Sequence, residues 1–490
     1  MHEEIARRRA MALALGGPDR IERERRAGRL TVRERIALLL DPGSFHEVGS
    51  MAITPMEAAD GERLEPLPAA FLCGFGTIDG RHVVVGAEDY TVQGGAATIH
   101  LEKFKGSWTG YVEDLAYQRA VPLVLLMNGA GGSVSAQTAK GYAYIVAAMR
   151  TTPILELLDR VPVVTAVLGP VAGSGAARIV CSHFSIMSRP NGCMFAGGPP
   201  LVERSLGRPV DKFELGGVDV HVAGAGNIDN AGEDEPDMFG QIRRFLSYLP
   251  PNVDQLPPVG DRQEPAVGPQ ELEELAAAVS GGDYDVRRLI AGIVDAGSVF
   301  EMGAEFGRSM VSVLARVEGR PVGVLAHDAR VDGGAMDGLA ADKQVRLVQL
   351  CDTFHLPILV VVDTPGLRAD EAAEADGVVR RAVRAVGTIH RATVPVLTLH
   401  VGRVAGLAGM ATTAADHLAM RFAWPTATIE DEAGLVGEEE APGSLWRNVE
   451  SFGIEEVIEP RQTRETVAAW LGLGAVGAVP GPKTGQQFRP

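Results

Sequence analysis

The sequence predicts an α/β fold in which one domain is written twice. Five signposts recur in one order about 235 residues apart. Within each copy, short Val/Ile/Leu runs alternate with polar helical stretches, the pattern of parallel strands joined by crossover helices. A proline-rich stretch separates the copies.

Taken in order, residues 1 to about 45 read as two charged helices. The first passes through Ile21 to Arg26 and ends at Ala27-Gly28. The second runs from Val32 to Leu40, with Thr31 as N-cap and Glu34 completing a capping box, and Asp41-Pro42-Gly43 stops it. In the first copy, Ile78-Asp79-Gly80-Arg81 opens a buried strand, His82 to Gly86. That strand leads to Gln93-Gly94-Gly95-Ala96, a polar helix, and Val121-Pro122-Leu123-Val124-Leu125-Leu126 ending at Asn128-Gly129-Ala130-Gly131-Gly132. Val161-Pro162-Val163-Val164-Thr165-Ala166-Val167 then ends at Gly169-Pro170-Val171-Ala172-Gly173-Ser174-Gly175. The second copy runs Glu318-Gly319-Arg320-Pro321, Val331-Asp332-Gly333-Gly334-Ala335, Leu356 through Val362 to Asp363-Thr364-Pro365-Gly366, and Val394 through Leu399 to Val404-Ala405-Gly406-Leu407-Ala408-Gly409. The expected boundaries are an N-terminal domain over 1–255, a proline-rich linker over 256–270, a C-terminal domain over 271–472, and a loose Gly/Pro-rich tail over 473–490.

At 490 residues the chain suffices for two or three domains, and the duplication selects two. No apolar run approaches the roughly 20 residues of a membrane span. Met1 to Arg9 lacks the apolar core of a secretory signal. The four cysteines (Cys73, Cys181, Cys193, Cys351) have neither metal-ligand nor disulfide-scaffold spacing. The expectation is a cytoplasmic protein with no metal and no membrane partner. A formal charge of -17 argues against a nucleic-acid surface, although a local cluster such as Lys103, Lys105, Arg178 or Arg204 can still attract a phosphate-bearing small molecule.

The glycine turns carry the chemistry. A tight turn that follows a buried strand and opens a helix leaves backbone N–H groups pointing into a cleft. Gly173-Ser174-Gly175, followed by Ala176-Ala177-Arg178-Ile179-Val180, fits that description. Two such donors can hold the negative oxygen of a thioester enolate, each contributing roughly 3 to 4 kcal/mol to the transition state. The bland alternative is that the glycines only let the helix pack closely on the sheet. Related turns in related domains suit a reaction with two carbonyl oxygens to stabilise. Other motifs are weaker: no Gly-Lys-Ser/Thr follows Gly169–Gly175 as a phosphate loop requires, Ser174 lacks a Gly-x-Ser-x-Gly elbow, and Asp363-Thr364-Pro365-Gly366 reads as a strand end and turn. His221 and His417 read as structural, and Glu430-Asp431-Glu432 and Glu438-Glu439-Glu440 as solvated acid runs.

With these residues in view, the chain resembles the carboxyltransferase (β) subunits of biotin-dependent acyl-CoA carboxylases, such as propionyl-CoA and methylcrotonyl-CoA carboxylase. The likeness runs from Leu30-Thr31-Val32-Arg33-Glu34-Arg35-Ile36 and Leu40-Asp41-Pro42-Gly43-Ser44-Phe45 to Glu455-Glu456-Val457-Ile458-Glu459-Pro460-Arg461-Gln462-Thr463-Arg464. It includes Gly169-Pro170-Val171-Ala172-Gly173, Glu214-Leu215-Gly216-Gly217, Phe245-Leu246-Ser247-Tyr248-Leu249-Pro250, Tyr284-Asp285-Val286-Arg287, Phe354-His355-Leu356-Pro357-Ile358 and Ala423-Trp424-Pro425-Thr426-Ala427. The resemblance implies two tandem crotonase-like (ClpP/crotonase) β-β-α spiral domains. It also implies a site where the N-terminal domain of one subunit, the acyl-CoA side, meets the C-terminal domain of another, the carboxybiotin side.

The resemblance assigns the thioester hole to Gly173 and Ser174. Counting from Arg403 and back from His417, it assigns the biotin hole to Ala408 and Gly409, whereas the internal repeat aligns Gly173 with Gly406. Substrate contacts then fall on Gly131, Gly132, Gly175, Gly366, Gly406, Leu407 and Ala411. The implied cofactors are biotin on a separate carrier and coenzyme A within the substrate. The implied partners are an acyl-CoA, a biotin carboxylase or biotin carrier subunit, and further copies of the chain, a dimer or larger.

Three departures mark a divergent member. The family's paired glycine of the second hole reads Leu407-Ala408, and Ala411 stands where an aspartate or other selectivity residue is usual. Gly131-Gly132-Ser133-Val134 replaces Gly-Gly-Ala-Arg. A helical segment before Val457-Ile458-Glu459-Pro460 is missing, which bears on the family's hexamer. The leading expectation is transfer of CO2 from carboxybiotin to the α carbon of an acyl-CoA. The alternatives are a biotin-independent malonyl-type CoA decarboxylase or acyl-transfer enzyme of specialised metabolism, and an inactive scaffold subunit.

Overall fold

Three helices, rather than the expected two, open the chain in this computed structural model, which describes residues 1–57, 63–95, 110–129, 131, 152–414, 419–430, 444–475, 478–483 and 488. They are α1 (His2–Ala14), α2 (Pro18–Arg26) and α3 (Val32–Leu39). The additional break falls at Gly16-Gly17-Pro18: Gly17 sits at φ 93°, and Pro18 begins α2 where its missing N–H costs nothing. Thr31 caps α3 as its sequence predicts. The Thr31 hydroxyl accepts the Glu34 N–H, and the Thr31 N–H donates back to the Glu34 carboxylate at 2.7 Å.

The chain divides into compact units, Met1–Leu246 and Ser247–Phe488. The first carries β1 (His46–Glu47), β2 (Ile53–Glu57), β3 (Arg63–Pro68), β4 (Phe71–Ile78), β5 (Arg81–Glu88), β6 (Leu123–Gly129), β7 (Val163–Ala172), β8 (Phe184–Ser188), β9 (Cys193–Phe195) and β10 (Asn230–Gly232). Apart from the β2–β3 ribbon they form one sheet in the order β1-β4-β5-β6-β7-β8-β10, with β9 beside β7. β4 and β5 are antiparallel, and β5 through β8 run parallel. Helix α4 (Tyr111–Arg119) precedes β6. Every residue of β6 is buried, as a parallel strand covered on both faces requires.

The second unit repeats this plan. Its strands are β11 (Phe300–Glu301), β12 (Met310–Val317), β13 (Arg320–His327), β14 (Ile358–Thr364), β15 (Val396–Ala405), β16 (Met420–Ala423), β17 (Thr428–Glu430) and β18 (Glu456–Val457). The sheet order is β11-β12-β13-β14-β15-β16-β18, with β17 beside β15. Register repeats as well as order. Val84 faces Leu123 and Gly323 faces Ile358, while Ala172 faces Phe195 and Ala405 faces Glu430. Glu88 and His327, Asn128 and Asp363, Gly131 and Gly366, and Gly173 and Gly406 are therefore equivalent positions.

One device sets both hairpins. Asp79 and Gly80 lie at φ 50° and 76°, Glu318 and Gly319 at 49° and 75°, as a two-residue turn matched to strand twist demands. An aspartate from upstream holds each turn. Asp41 accepts the Asp79 and Gly80 N–H groups, each at 2.9 Å, and Asp295 accepts those of Glu318 and Gly319 at 3.0 and 2.7 Å. Asp41-Pro42-Gly43-Ser44 and Asp295-Ala296-Gly297-Ser298 are thus a further pair of signposts. The Thr77 hydroxyl and the turn amides hold the Asp41 carboxyl at about 2, well below the usual carboxylate range. In the tail, Phe488 is buried beneath the Arg346 guanidinium, 5.3 Å from the ring centre.

At the tips of the central strands the pairing slips. Met127 faces Val167, but Gly129 faces Val171; Val362 faces His400, but Thr364 faces Val404. Each slip adds two residues to the longer strand and redirects its end. It also brings a polar side chain over a glycine. A Cβ at Gly169 would come within 2.1 Å of Asn128 Oδ1, and one at Gly402 within 2.5 Å of Asp363 Oδ1. Gly402→Ala should therefore displace Asp363 and cost about 1–3 kcal/mol, read as a lower thermal midpoint. An unchanged midpoint would contradict this packing.

Candidate active site: two glycine turns at equivalent strand tips

At the end of β7, Gly173 adopts φ 65° and ψ −124°, a conformation that favours glycine, and the helix Ser174–Val180 begins at once. The Gly173 N–H donates to Phe195 O at 3.0 Å. This corrects one expectation: Gly173 shapes the turn, but its amide is already engaged. The first intrahelical bond is Ala177 N–H to Gly173 O, so the Ser174 and Gly175 amides stand ahead of it, and no side-chain cap takes them. Gly173 and Ser174 are exposed. Gly131, at φ 81°, lies where a Cβ would come within 2.9 Å of Ala172 O, so its bareness allows the β6 turn to approach the β7 tip. Gly132, Ser133 and Val134 lie outside the described residues.

The second turn follows β15, where Gly406 at φ 51° opens the helix Gly406–Met410. Strand register pairs Ser174 and Gly175 with Leu407 and Ala408, one residue ahead of the Ala408–Gly409 pair counted from Arg403. Ala408 belongs to both pairs. Ala411 does not line a slot. It is fully buried, its N–H donates to the Leu407 and Ala408 carbonyls, and its own carbonyl accepts the Gln344 amide at 2.6 Å. Gly366 is likewise enclosed: its N–H reaches Thr364 Oγ1 and its carbonyl accepts the Met336 N–H at 3.0 Å. His417 and most of the acidic loop, 431–443, lie outside the described residues.

Behind the first turn sits a charged cluster that the sequence reading missed. Glu88, the last residue of β5, is half-buried, and its Oε2 accepts the Asn128 N–H at 2.7 Å. Arg178, on the helix of the first turn, is buried and donates through Nε to Glu113 Oε1 at 2.6 Å. Its guanidinium lies 5.6 Å from the centre of the Phe71 ring. Arg178 is therefore engaged inside the protein, which corrects its expected role in attracting anions. Lys103 and Lys105 lie outside the described residues. Burial pushes the Glu88 carboxyl up to about 7 against the opposing pull of Arg178 and the Asn128 N–H. The signal was the acid Glu88, followed by Asp89, closing the apolar run Val83-Val84-Val85-Gly86-Ala87.

The second unit fills the same positions with different chemistry. Asp363, at the Asn128 position, accepts the Arg403 N–H at 3.0 Å and the Tyr284 hydroxyl at 3.2 Å. Arg403 also donates to Gly333 O at 2.6 Å, fastening the two glycine loops together. His327, at the Glu88 position, is buried, and burial lowers it to about 4. His221 is held by Met194 O at 2.7 Å and by Asn227, a structural arrangement. No group of three or more metal-capable side chains occurs among the described residues. No described helix is long and apolar enough to cross a membrane.

This duplicated α/β architecture, with glycine turns at equivalent tips, is that of tandem crotonase-like domains. Residues 23–433 match the carboxyl transferase domain family, to which the chain belongs as a divergent member. It is 32% identical over 453 residues to the carboxyltransferase subunit of propionyl-CoA carboxylase from Haloferax mediterranei, covering 91% of this chain and 85% of that protein. It is 29% identical to methylmalonyl-CoA decarboxylase subunit alpha from Veillonella parvula, covering 96% and 94%. Among solved structures, transcarboxylase 12S with hydrolysed methylmalonyl-CoA bound superposes with a TM-score of 0.86 at 28% identity, covering 100% and 96%.

The raised Glu88 carboxyl has a thermodynamic consequence. A carboxyl lifted from the usual 4.5 to about 7 favours the folded state while protonated, and that contribution is lost as pH rises through this window. Glu88→Gln does not titrate. Its thermal midpoint relative to the parent should therefore rise steadily from pH 4.5 to 7; parallel curves would contradict the assignment.

Proposed function

We propose that the protein is the carboxyltransferase component of an acyl-CoA carboxylase, moving a carboxyl group from carboxybiotin to the α carbon of an acyl-CoA. The observation that carries this reading is the repetition of the Gly173 turn at Gly406, strand for strand, in a chain of the carboxyl transferase family. At the first turn the Ser174 and Gly175 amides hold the thioester oxygen. As the α proton leaves, charge gathers on that oxygen, and each donor contributes roughly 3 to 4 kcal/mol to the transition state. No side-chain nucleophile is needed.

At the second turn, Ala408 with Gly409 receives the ureido oxygen of carboxybiotin. Gly406 preserves the positive-φ corner and Ala408 is small. These residues fit the group, which supplies the carboxyl when bound. Biotin arrives on a separate carrier, with biotin carboxylase and carrier subunits as partners, and coenzyme A forms part of the substrate. The turns act together when the N-terminal unit of one copy meets the C-terminal unit of another, so a dimer or larger assembly belongs to this reading. Transcarboxylase 12S assembles as a hexamer. A reducing, cytoplasmic setting accords with four buried free cysteines.

A second reading keeps only the first turn. Leu407 at the Ser174 position, together with likeness to a protein named methylmalonyl-CoA decarboxylase subunit alpha, favours decarboxylation of a malonyl-type CoA without biotin. The two separate by mass. The protein is incubated with methylmalonyl-CoA alone, and with propionyl-CoA plus a carboxylated biotin carrier. Carboxyl transfer only with the carrier supports the leading reading, and loss of CO2 from the ester alone replaces it.

Ser174 occupies the first helical position, where proline is tolerated. Ser174→Pro removes one donor and should lower turnover roughly 100- to 1,000-fold without lowering the thermal midpoint; full turnover would exclude the first turn. Light scattering should give a dimer or larger, and an active monomer would refute the shared site.

A further inference from the structure

We propose that Glu88 is a catalytic acid–base residue whose carboxyl exchanges a proton with the α carbon of the thioester held at the Ser174 turn. The inference rests on the proposed acyl-CoA site and adds a group that the peptide donors cannot supply. Oxyanion donors stabilise an enolate but neither remove nor return a proton.

Three features of the first unit support it. Glu88 closes β5 at the same edge of the parallel sheet where β6 ends at Asn128-Gly129 and β7 ends at Ala172-Gly173, the edge at which open α/β sheets bind ligands. Its carboxyl leans toward β7 across β6: Oε2 sits on the Asn128 N–H, and a Cβ at Gly129 would fall within 2.8 Å of it. Gly129 faces Val171 of β7, so this lean sets the carboxyl one strand over from β7, three residues short of Ser174. Oε1, moreover, has no hydrogen-bond partner among the described residues, and the side chain is only half-buried, so one oxygen remains for a substrate proton.

Burial makes the proton exchangeable near neutrality. Arg178 from the Ser174 helix is the charged group that acts on Glu88, and it donates to Glu113 of α4. Asp89, its chain neighbour, is turned to Thr91, whose hydroxyl donates at 2.6 Å, while β4 offers Phe71 and β6 offers Asn128. Burial therefore holds the Glu88 proton until about pH 7, against the pull of Arg178 and the Asn128 N–H. In the forward step the Glu88 carboxylate takes the α proton. The C–H electron pair becomes the enolate double bond, and the oxygen charge rests on the Ser174 and Gly175 amides. Return of a proton from Glu88 to the α carbon reverses this, and Glu88 re-equilibrates with solvent. The equivalent His327 is buried and neutral, so this function belongs to the first unit alone.

The test is hydrogen exchange without biotin or any partner. The full chain is incubated with propionyl-CoA in D2O, and deuterium at the α carbon is followed by mass and proton NMR while calorimetry records binding. The protein should exchange the α protons at a rate that climbs with pH and levels above about 7. Glu88→Gln, which retains an oxygen for the Asn128 N–H, should bind propionyl-CoA equally but exchange about 100-fold or more slowly. Glu88→Asp should recover part of the rate. Undiminished exchange in Glu88→Gln, or a parent protein that binds propionyl-CoA and does not exchange it, overturns the proposal. Absence of binding instead overturns the acyl-CoA reading of the first turn, and the role of Glu88 with it.

Discussion

Both candidate sites depend on a slip of two residues between parallel strands, because only the longer strand's redirected end places a helix start at the tip of its sheet. Where β7 overruns β6, and β15 overruns β14, the extra residues include a glycine that a polar side chain from the shorter strand covers. The strand then ends beside a second glycine at positive φ, and the next residues begin a helix. A side chain at either glycine would close the gap or strain the corner. At the first turn the Ser174 and Gly175 amides stand ahead of the first intrahelical bond, and under the proposed function they would meet a developing oxyanion already in place.

Around this shared frame the two units differ in charge. In the second, Asp363 links Arg403 and Tyr284, and Arg403 reaches across to Gly333, so the polar groups behind the turn satisfy one another. In the first, Asn128 has no carboxylate to offer, both atoms of its side-chain amide lack a partner among the described residues, and the acid has moved to Glu88 on the adjacent strand. The two units share the backbone scaffold, while the titratable group behind the turn differs in position and type. Under the proposed function, such asymmetry suits a division of labour in which one half would handle a carbon acid and the other would receive a ring that brings its own chemistry.

The repeated turns, the parallel strands and the Thr31 capping box were legible because each depends on residues close in sequence. Gly16-Gly17-Pro18 was legible too, but a break between charged helices is easily read as one helix continuing. Other features were hidden for physical reasons. That the Gly173 amide is engaged depends on β9, whose residues Cys193–Phe195 give no local sign of lying beside β7. Arg178 looked like a free cation until Glu113, from another helix, was found against it. The family resemblance places Ala411 in the site, whereas packing sets it under Gln344, fully enclosed. Local pattern reports the backbone well and reports poorly which amide or charge remains available.

The central claim is that the Ser174 turn polarises a thioester carbonyl. Isotope-edited infrared difference spectroscopy of an acyl-CoA carrying 13C at the thioester carbon reads that polarisation directly. The account predicts that the bound C=O stretch moves to lower frequency than in water, and that the shift shrinks in Ser174→Pro at saturating ligand. A bound carbonyl with the frequency it has in water would contradict the account.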